Sequence, residues 1–517
     1  MSVSSDRDTD VLIVGAGPTG LVLALWLTRL GVRVRIVDKT AEAGTTSRAL
    51  GVQARTLEFY SQIGLADAVV EDGHQILAAN LWVAGEKVAR AIFGEMGAGL
   101  SPFSFVVIYP QDEHERLLIE RLAEGGVEVE RTTELLDFED APGGVRAHLK
   151  RADGTVELCD AVYLAGCDGA HSSVREALKI GFPGGTYAHL FYVADVEAAG
   201  AAMNGELHVA LDTTDFLAVF PLKGDGRARL IGTVREDPQV QHDNLSWTDV
   251  SQRVIEWMRI DVRRVNWFST YRVHHRVADH FRGGRAFLLG DAAHIHSPVG
   301  AQGMNTGIGD AVNLAWKLAA VLGDRADASL LDTYEPERIA FARRLVATTD
   351  EAFTGVTSDG LLARLVRLRI VPILFPLITR FSSLRRFMFR TISQTAVNYR
   401  GSSLSEGRAG AVQGGDRLPW VKVNVHGVGE DNFAPLRSLD WQVHVYGDAD
   451  HTIQEMCKAR RLPLHTFPWR PDIGRAGLQR NAVYLVRPDG YVGVADSQGS
   501  AMTIASYLDT RRLATKH

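Results

Sequence analysis

The stretch Asp10-Val-Leu-Ile-Val-Gly-Ala-Gly-Pro-Thr-Gly20 decides the fold of this 517-residue chain. Its apolar half predicts a buried strand, its three glycines predict a tight turn, and the apolar residues 21–30 predict a helix. A second strand over residues 32–37 then ends at Asp38. This order of strand, glycine turn, helix, strand and acid is typical of a dinucleotide-binding βαβ unit.

Each residue type in this unit has a physical role. Gly15 permits the sharp turn, Gly17 lets backbone amides approach a pyrophosphate, and Gly20 lets the helix pack on its strand. The free amides at the helix N-terminus bind the phosphates, and Asp38 can bind a ribose hydroxyl. The candidate cofactor-binding residues of this first motif are Gly15, Gly17, Pro18, Thr19, Gly20, Asp38 and Lys39.

Length and composition limit the possible classes of protein. A chain of 517 residues exceeds what one core usually supports, so we expect several domains. The net charge of −6 gives no electrostatic reason to expect nucleic acid as a partner. We also expect no signal peptide and no transmembrane segment, because the N-terminus lacks an apolar run and residues 21–30 are too short for a span. The three cysteines form no Cys-x-x-Cys pair, which favours the cytoplasm.

Two later stretches have the same strand-turn-helix character. Residues 160–175 predict a buried strand, a turn at Asp168-Gly169 and a helix capped by Ser172. Taken by itself, this stretch favours a plain strand-helix crossover over a nucleotide-binding motif. Residues 284–311 predict a strand ending at Gly290-Asp291 and a glycine-rich loop. A long helix follows over about residues 304–322 and is stopped by Gly323.

Taken together and in this order, the three motifs resemble those of the group A flavoprotein monooxygenases, the single-component FAD-dependent aromatic hydroxylases. The resemblance implies that the first motif holds the ADP part of FAD and that Asp168 serves both FAD and a passing nicotinamide nucleotide. It implies that Gly290-Asp291 holds the ribityl chain and that the following helix faces the flavin. Asp38 departs from the family pattern, in which a glutamate is commoner. The further cofactor-binding residues that the resemblance implies are Arg48, Gln111, Asp168, Gly290, Asp291, Pro298, Gly303, Met304 and Asn305.

The activity that the resemblance implies is oxygenation. The enzyme would take electrons from NADPH, or from NADH, and use O₂ to hydroxylate a small aromatic or polyketide-type substrate through a flavin C4a-hydroperoxide. No side chain stands out as the catalytic base, and the pocket candidates are His208, Phe216, Phe220 and Pro298. A Baeyer–Villiger oxygenase and a non-catalytic flavin-binding sensor or scaffold remain alternatives. His294 and His296 have no third ligand nearby in sequence, so we expect no metal site.

The expected fold class is α/β, with a Rossmann-like FAD-binding domain interrupted by an antiparallel substrate sheet. We assign residues 1–185 and 276–345 to the FAD-binding domain, with an excursion into the substrate domain near residues 75–105. Residues 186–275 alternate apolar and polar positions and form the substrate sheet. Glycines 300, 303, 307 and 309 are expected to give the flavin loop the freedom for the flavin to swing outward.

The last third of the chain predicts two further units. Residues 346–399 form a helical segment, whose apolar and basic part carries Pro372 and Pro376. We favour a helical hairpin or a homodimer contact there over a helix on a membrane surface. Residues 400–517 resemble the thioredoxin-like tail of phenol hydroxylases, including the Arg487-Pro-Asp-Gly-Tyr-Val signature. Without a cysteine pair this tail is expected to be structural.

Overall fold

The computed structural model describes residues 7–44, 49–211, 216–234, 245–296, 302–357, 370, 381–425 and 428–514. The strands, in chain order, are β1 (Thr9–Val14), β2 (Val34–Val37), β3 (Gly51–Val52), β4 (His74–Ile76), β5 (Ala78–Val83), β6 (Glu86–Ile92), β7 (Val106–Ile108), β8 (Val129–Glu130), β9 (Glu134–Ala141), β10 (Gly144–Lys150), β11 (Val156–Gly166), β12 (Gly184–Gly200), β13 (Leu207–Leu211), β14 (Phe216–Pro221), β15 (Arg227–Val234), β16 (Ile260–Val277), β17 (Arg282–Gly283), β18 (Ala286–Leu288), β19 (His294–Ile295), β20 (Glu406–Ala409), β21 (Val412–Gln413), β22 (Lys422–Val425), β23 (Val428–Asp431), β24 (Gln442–Tyr446), β25 (Leu464–Phe467), β26 (Val483–Val486) and β27 (Val492–Asp496). The α-helices are Pro18–Arg29, Ala54–Gln62, Ala66–Asp72, Phe93–Gly97, Gln111–Glu124, Ser173–Ala177, Arg253–Trp257, Gly303–Leu322, Tyr334–Thr357, Ser382–Ile392, His451–Ala459, Pro471–Arg475 and Ala501–Thr510.

The first sheet is the nucleotide-binding sheet that the glycine turn predicts. Its main strand order is β17-β18-β11-β1-β2-β8, and β18, β11, β1, β2 and β8 run parallel. The carboxyl ends of parallel strands lie at one edge of a sheet. The turns after β1, β11 and β18 therefore meet, although about 150 and 120 residues separate them in sequence.

The first strand and helix form for local reasons. The last four residues of β1, Val11 to Val14, are apolar and buried, as expected of a central parallel strand. The helix Pro18–Arg29 has a proline at its first position, where the missing N–H costs nothing. The helix packs against the long helix Gly303–Leu322, which ends at Gly323 as predicted. The motifs are thus carried by two contacting helices.

The second sheet has eight strands in the order β19-β16-β12-β15-β14-β13-β5-β6. All its pairs are antiparallel except β13 with β5, which are parallel. Strands β5 and β6 come from residues 78–92, so this part of the predicted excursion joins the sheet. One face is covered by the helix Arg253–Trp257, in a core with Tyr192 and Leu230.

The third sheet has the order β21-β20-β27-β26-β24-β25. Strands β24 and β25 are parallel and flank the helix His451–Ala459, whereas β26 and β27 form an antiparallel hairpin. Cys457 is buried in this unit, and burial raises the pKa of its thiol to about 11. The fold class is therefore mixed α/β as predicted, while the thioredoxin-like assignment and the domain boundaries stay predictions.

Much of the predicted helical segment, including Pro372 and Pro376, lies outside the described residues. The helix Ser382–Ile392 is described, and it buries Phe389 beside Phe93 and Met96. Among the helices in the described ranges, none is both long enough and apolar enough to cross a membrane.

Candidate active site

The first two motifs are in direct contact. Gly15 has φ of +104°, and a Cβ on it would lie 2.3 Å from the carbonyl oxygen of Cys167, the residue before Asp168. A Cβ on Gly20 would lie 2.0 Å from the carbonyl oxygen of Gly15. Any side chain at either position would therefore collide with backbone, which is the role that the sequence predicts for both glycines.

The third motif contacts the first through Thr19. A Cβ on Gly290, whose φ is +57°, would lie 2.7 Å from Thr19 Oγ1, and one on Gly307 would lie 2.3 Å from the same atom. Gly303, Gly307 and Gly309 all belong to the helix Gly303–Leu322. The prediction that these three glycines loosen a loop is therefore wrong: they are helical, and Gly307 allows two helices to approach closely.

The N-terminus of the first helix offers a cradle for phosphate. Gly17 is its N-cap, and no side chain hydrogen-bonds to the cap position. A Cβ on Gly17 would meet no atom within 4 Å, so the space beside it is open. Uncapped amides facing open space at a helix N-terminus fit a pyrophosphate, as the first motif predicts.

Asp38 lies half-buried at the end of β2, beside the glycine turn. Its Oδ2 accepts a hydrogen bond from the N–H of Ala16 (2.7 Å), and its Oδ1 accepts from the N–H and hydroxyl of Thr40 (2.8 and 2.6 Å). Each carboxylate oxygen has two lone pairs, so a ribose hydroxyl can still be accepted. Lys39 follows as an exposed residue.

Asp168 has an unused acceptor where the motifs meet. Its Oδ2 accepts from the N–H of Val174 (3.2 Å), but its Oδ1 is buried and has no hydrogen-bond partner among the described residues. Burial raises the pKa of this carboxyl group. A buried acceptor without a partner is costly, so this atom fits a donor supplied by a bound cofactor.

Arg175 connects the second motif to the third, a role that the sequence alone did not predict. Its Nη1 donates to the carbonyl of Ala292 (2.9 Å) and its Nη2 donates to the carbonyl of Ala170 (2.8 Å). Arg175 also lies at the capped end of the predicted helix, where its N–H donates to Ser172 Oγ. The sequence shows Arg175 in the predicted helix, but it does not show that Arg175 binds the carbonyl of Ala292 in the third motif.

A buried ion network holds the third motif and includes one of the paired histidines. His294 Nε2 lies 2.7 Å from Asp310 Oδ2, which also accepts from the N–H of Gly290 (3.0 Å). The other carboxylate oxygen of Asp310 accepts from Arg338. The pKa of Asp310 is lowered because Arg338 and His294 outweigh its burial. The residues in the described ranges include no cluster of three or more His, Cys, Asp or Glu suited to a metal.

The start of the long helix is held by the side chain of Asn305. Its Oδ1 accepts from the N–H of Gln53 (2.9 Å) and the hydroxyl of Thr56 (2.7 Å), and its Nδ2 donates to the carbonyl of Gly51 (2.8 Å). Asn305 therefore contributes its side chain to the protein interior. What the helix start offers a cofactor is its first backbone amides, at Gly303, Met304 and Asn305, where no side-chain cap is present.

The remaining predicted cofactor residues are placed as follows. Gln111 begins a helix, accepts from the N–H of Ala49 (3.3 Å) and donates to Glu115 (2.7 Å). Glu115 is buried, which raises the pKa of its carboxyl group, and the sequence analysis did not single it out. Asp291 is exposed directly after Gly290. Arg48 and Pro298 lie outside the described residues.

The pocket candidates of the second sheet fall on two faces. His208 is opposite Val219 in register, and Val219 packs in the core beneath the helix Arg253–Trp257. Phe220 comes one residue after Val219, and Phe216 comes three residues before it. Because successive side chains of a strand point to opposite faces, both phenylalanine side chains lie on the other face. Phe220 packs there beside Leu50 and Phe389. His208 therefore does not share a pocket wall with the two phenylalanines.

The chain is similar to known FAD-binding proteins. The family model described as an FAD binding domain matches residues 8–349. The 6-methylpretetramide 4-monooxygenase of Streptomyces rimosus is 36% identical over 540 residues, which is 97% of this chain and 93% of that protein.

Two solved structures share the fold over nearly the whole chain. A ternary complex of aklavinone-11 hydroxylase with FAD and aklavinone has a TM-score of 0.77 at 26% identity, covering 99% of this chain and 100% of that chain. PyrE3, described as a Diels-Alderase of pyrroindomycin biosynthesis, has a TM-score of 0.74 at 26% identity, covering 98% and 99%. The chain therefore belongs to the FAD-binding family of group A aromatic and polyketide hydroxylases, which are FAD-dependent monooxygenases.

Proposed function

We propose that this enzyme uses NADPH, or NADH, and O₂ to hydroxylate a small aromatic or polyketide-type substrate. The observation that carries the proposal is the meeting of three separated motifs around an uncapped helix N-terminus and the unpartnered Oδ1 of Asp168. The 36% identical relative from Streptomyces rimosus is itself named as a monooxygenase. FAD, when bound, supplies the redox chemistry: it takes electrons from the nicotinamide nucleotide and activates O₂.

The chain's own residues bind and orient the cofactor. The amides around Gly17 would hold the pyrophosphate, Asp38 would hold the ribose, and the buried Oδ1 of Asp168 would accept a hydrogen bond from the cofactor. The start of the helix Gly303–Leu322 would stabilise negative charge on the cofactor through its amides and its dipole. These roles need no ionisable side chain to change its charge during the reaction.

An apolar cluster of side chains lies beside the proposed cofactor site. Phe220 and Ile231, on the inner face of the second sheet, pack in one cluster with Leu50 and Ala54. Ala54 begins the helix that Asn305 binds through Gln53 and Thr56. The cluster therefore extends from the second sheet to the start of the long helix. We propose that the substrate lies there, with Phe220 as a wall of its pocket.

The test is substrate-dependent oxygenation by the FAD-loaded enzyme. We expect a panel of phenols and polycyclic aromatic polyketides to include a compound that stimulates both nicotinamide oxidation and O₂ uptake, with a product heavier by one oxygen atom. Mass spectrometry and NMR then separate a hydroxylated ring from the inserted ester of a Baeyer–Villiger reaction. FAD-loaded enzyme that consumes no O₂ with any nicotinamide nucleotide would contradict the proposal and favour a role without oxygenation; PyrE3, which shares the fold, is described as a Diels-Alderase.

Reduction is proposed to depend on substrate. Among the described residues, one glycine turn of the dinucleotide-binding type is present, after β1. We therefore propose that the nicotinamide nucleotide has no domain of its own and binds transiently over the FAD site. We expect slow anaerobic reduction by NADPH alone and at least about a tenfold rise with a true substrate, equivalent to about 1.4 kcal/mol off the barrier. Stopped-flow absorbance measures both rates, and equal rates would reject substrate control.

A further inference from the structure

A cavity of about 290 Å³ lies apart from the dinucleotide turns, where three parts of the chain meet. One wall comes from Gly99 and Leu100, after the helix Phe93–Gly97, and a second comes from the helix Ser382–Ile392 and the residues that follow it. The third wall belongs to the C-terminal unit. No residue of the glycine turns lines this space.

The cavity wall has a large excess of positive charge. Its ionisable lining residues are Arg386, Arg390, Arg400, Asp416, Arg417 and Arg475. The single carboxylate, Asp416, is bound by Arg400 through two hydrogen bonds of 2.7 and 3.1 Å. Arg417 is paired with Glu58, which is buried behind the wall. Two of the five arginines are therefore neutralised, and three are left.

The three remaining guanidinium groups have little to bind within the protein. Arg386 donates one long hydrogen bond, 3.4 Å, to the carbonyl of Ala98. Arg390 and Arg475 make no side-chain hydrogen bond or ion pair to any residue that the structure describes, and both are exposed at the cavity. The pKa of Arg390 is lowered, first by partial burial and then by the positive charge of Arg417. The three groups thus line one cavity with no carboxylate hydrogen-bonded to any of them, although Asp416 acts on Arg390 and Arg475 acts on Asp472 through their charges.

We propose that this arginine cavity, formed by Arg386, Arg390 and Arg475 around the Arg400–Asp416 pair, binds a small diphosphate-bearing anion. The planar fork of a guanidinium group matches phosphate oxygens, and charge-assisted hydrogen bonds of this kind are among the strong ones. A diphosphate supplies several negative charges in a small volume, which suits three guanidinium groups without a paired carboxylate on the wall of a 290 Å³ cavity. The site is separate from the FAD site and independent of the oxygenase proposal.

The test is calorimetric titration of FAD-saturated enzyme with inorganic pyrophosphate at low ionic strength. We expect one saturable site, and we expect Arg390→Ala and Arg475→Ala each to weaken binding at least about tenfold. Arg263→Ala is the matched control: Arg263 is highly exposed on β16, away from the cavity, and its loss changes the net charge equally. That variant should bind pyrophosphate as the parent enzyme does.

Two arms identify the source of the diphosphate. Tighter binding of ADP than of pyrophosphate to the FAD-saturated enzyme assigns the cavity to a nucleotide, whereas equal affinity assigns it to the diphosphate group alone. The proposal is overturned if pyrophosphate shows no saturable binding, if the two cavity variants bind it as tightly as Arg263→Ala does, or if it displaces FAD. Flavin absorbance during the titration reports displacement, and FAD-loaded variants are shown to be folded by the same spectrum.

Discussion

Three aspartates beside the glycine turns have different partners and therefore different uses. Asp310 is fully buried and shared among His294, Arg338 and the N–H of Gly290, so it holds the protein together. Asp38 accepts from backbone and from Thr40, with lone pairs left over. Only one oxygen of Asp168 is both buried and unpartnered among the atoms described for these three. Of these three carboxylates, Asp168 is therefore the one with a buried oxygen left to bind a cofactor.

Replacing Asp168 should weaken FAD binding. Asp168→Ala removes an acceptor whose hydrogen bond is worth about 1.5–3 kcal/mol when one partner is charged, so we expect a ten- to hundredfold weaker affinity. Fluorescence titration of the apoenzyme measures it. Asp225→Ala, which removes an exposed carboxylate from the turn between β14 and β15, is the control and should change nothing. Unchanged affinity in Asp168→Ala would show that the Oδ1 atom has no ligand.

His208 is held as a neutral ring by its two partners. Its Nδ1 accepts from Trp82 Nε1 (2.9 Å), so its other nitrogen carries the proton and donates to Asn204 (2.7 Å). A second proton would face the N–H of Trp82. Burial lowers the pKa of His208 from 6.5 to about 4. This makes the residue an acid-sensitive part of the fold.

The consequence is a defined pH dependence of stability. Between pH 6.5 and about 4 the unfolded chain binds a proton at His208 that the folded chain does not, so the free energy of unfolding falls as the pH falls. The loss is about 1.4 kcal/mol per pKa unit at most. His208→Gln should flatten this part of the profile in urea unfolding. Other buried histidines contribute equally to both proteins, so parallel profiles would contradict the assignment.

At the scale of elements, the site depends on how two helices cross. Thr19 lies between Gly290 and Gly307. Its hydroxyl oxygen would be 2.7 Å from a Cβ added to Gly290 and 2.3 Å from a Cβ added to Gly307. On the other side, Asn305 ties the start of the long helix to β3 and to the helix Ala54–Gln62. The position of the long helix is therefore set from two directions, and its uncapped amides are held at the cofactor site.

Gly307→Ala should disturb this crossing. The new methyl group must displace Thr19 and also meets Gly290 Cα at 3.1 Å, so overpacking should cost about 1–3 kcal/mol of unfolding free energy. FAD affinity should fall as well, because the helix start moves. Gly303→Ala is the control in the same helix, since its nearest atom is 3.7 Å away in ordinary contact. Urea unfolding that fails to separate the two variants would refute this packing, and FAD titration compares Gly307→Ala with the parent enzyme.

At the scale of the whole molecule, the C-terminal unit docks through its Arg-Pro-Asp-Gly turn. Arg487 Nη1 donates to Glu337 Oε1 (2.8 Å), and Glu337 Oε2 also accepts from Lys317 (2.8 Å) on the long helix. The carbonyl of Asp489 accepts from Arg55 (2.8 Å), on the helix that Asn305 binds. The turn therefore contacts both helices that position the cofactor site, and the charged groups of the network are fully buried.

Removing the central carboxylate should destabilise the protein strongly. Glu337→Gln leaves the buried Lys317 and Arg487 without their shared counter-charge, and breaking a buried pair in this way costs about 3–5 kcal/mol. Glu406→Gln, which breaks a partly exposed pair with Arg511, should cost less than about 1 kcal/mol. Urea denaturation compares the two. Similar losses would mean that the turn does not couple the units.

What the sequence alone determined is local. The strand-turn-helix units, the N-cap at Ser172 and the end of the long helix at Gly323 all follow from residues within a few positions of one another. Propensity, capping and turn chemistry act over that range, so a single sequence reports them. The order of three such units along the chain also indicated the family and its cofactor.

What only the tertiary structure decided depends on partners far apart in sequence. Arg487 and Glu337 are 150 residues apart, and Asn305 and Gln53 are 252 apart. The same holds for Gly307, whose meaning changed from loop freedom to helix packing once Thr19 was found beside it, and for His208, whose face of the sheet depends on strand register. Residue type and spacing do not encode which distant surface a side chain meets, because that contact is set by how all the elements pack together.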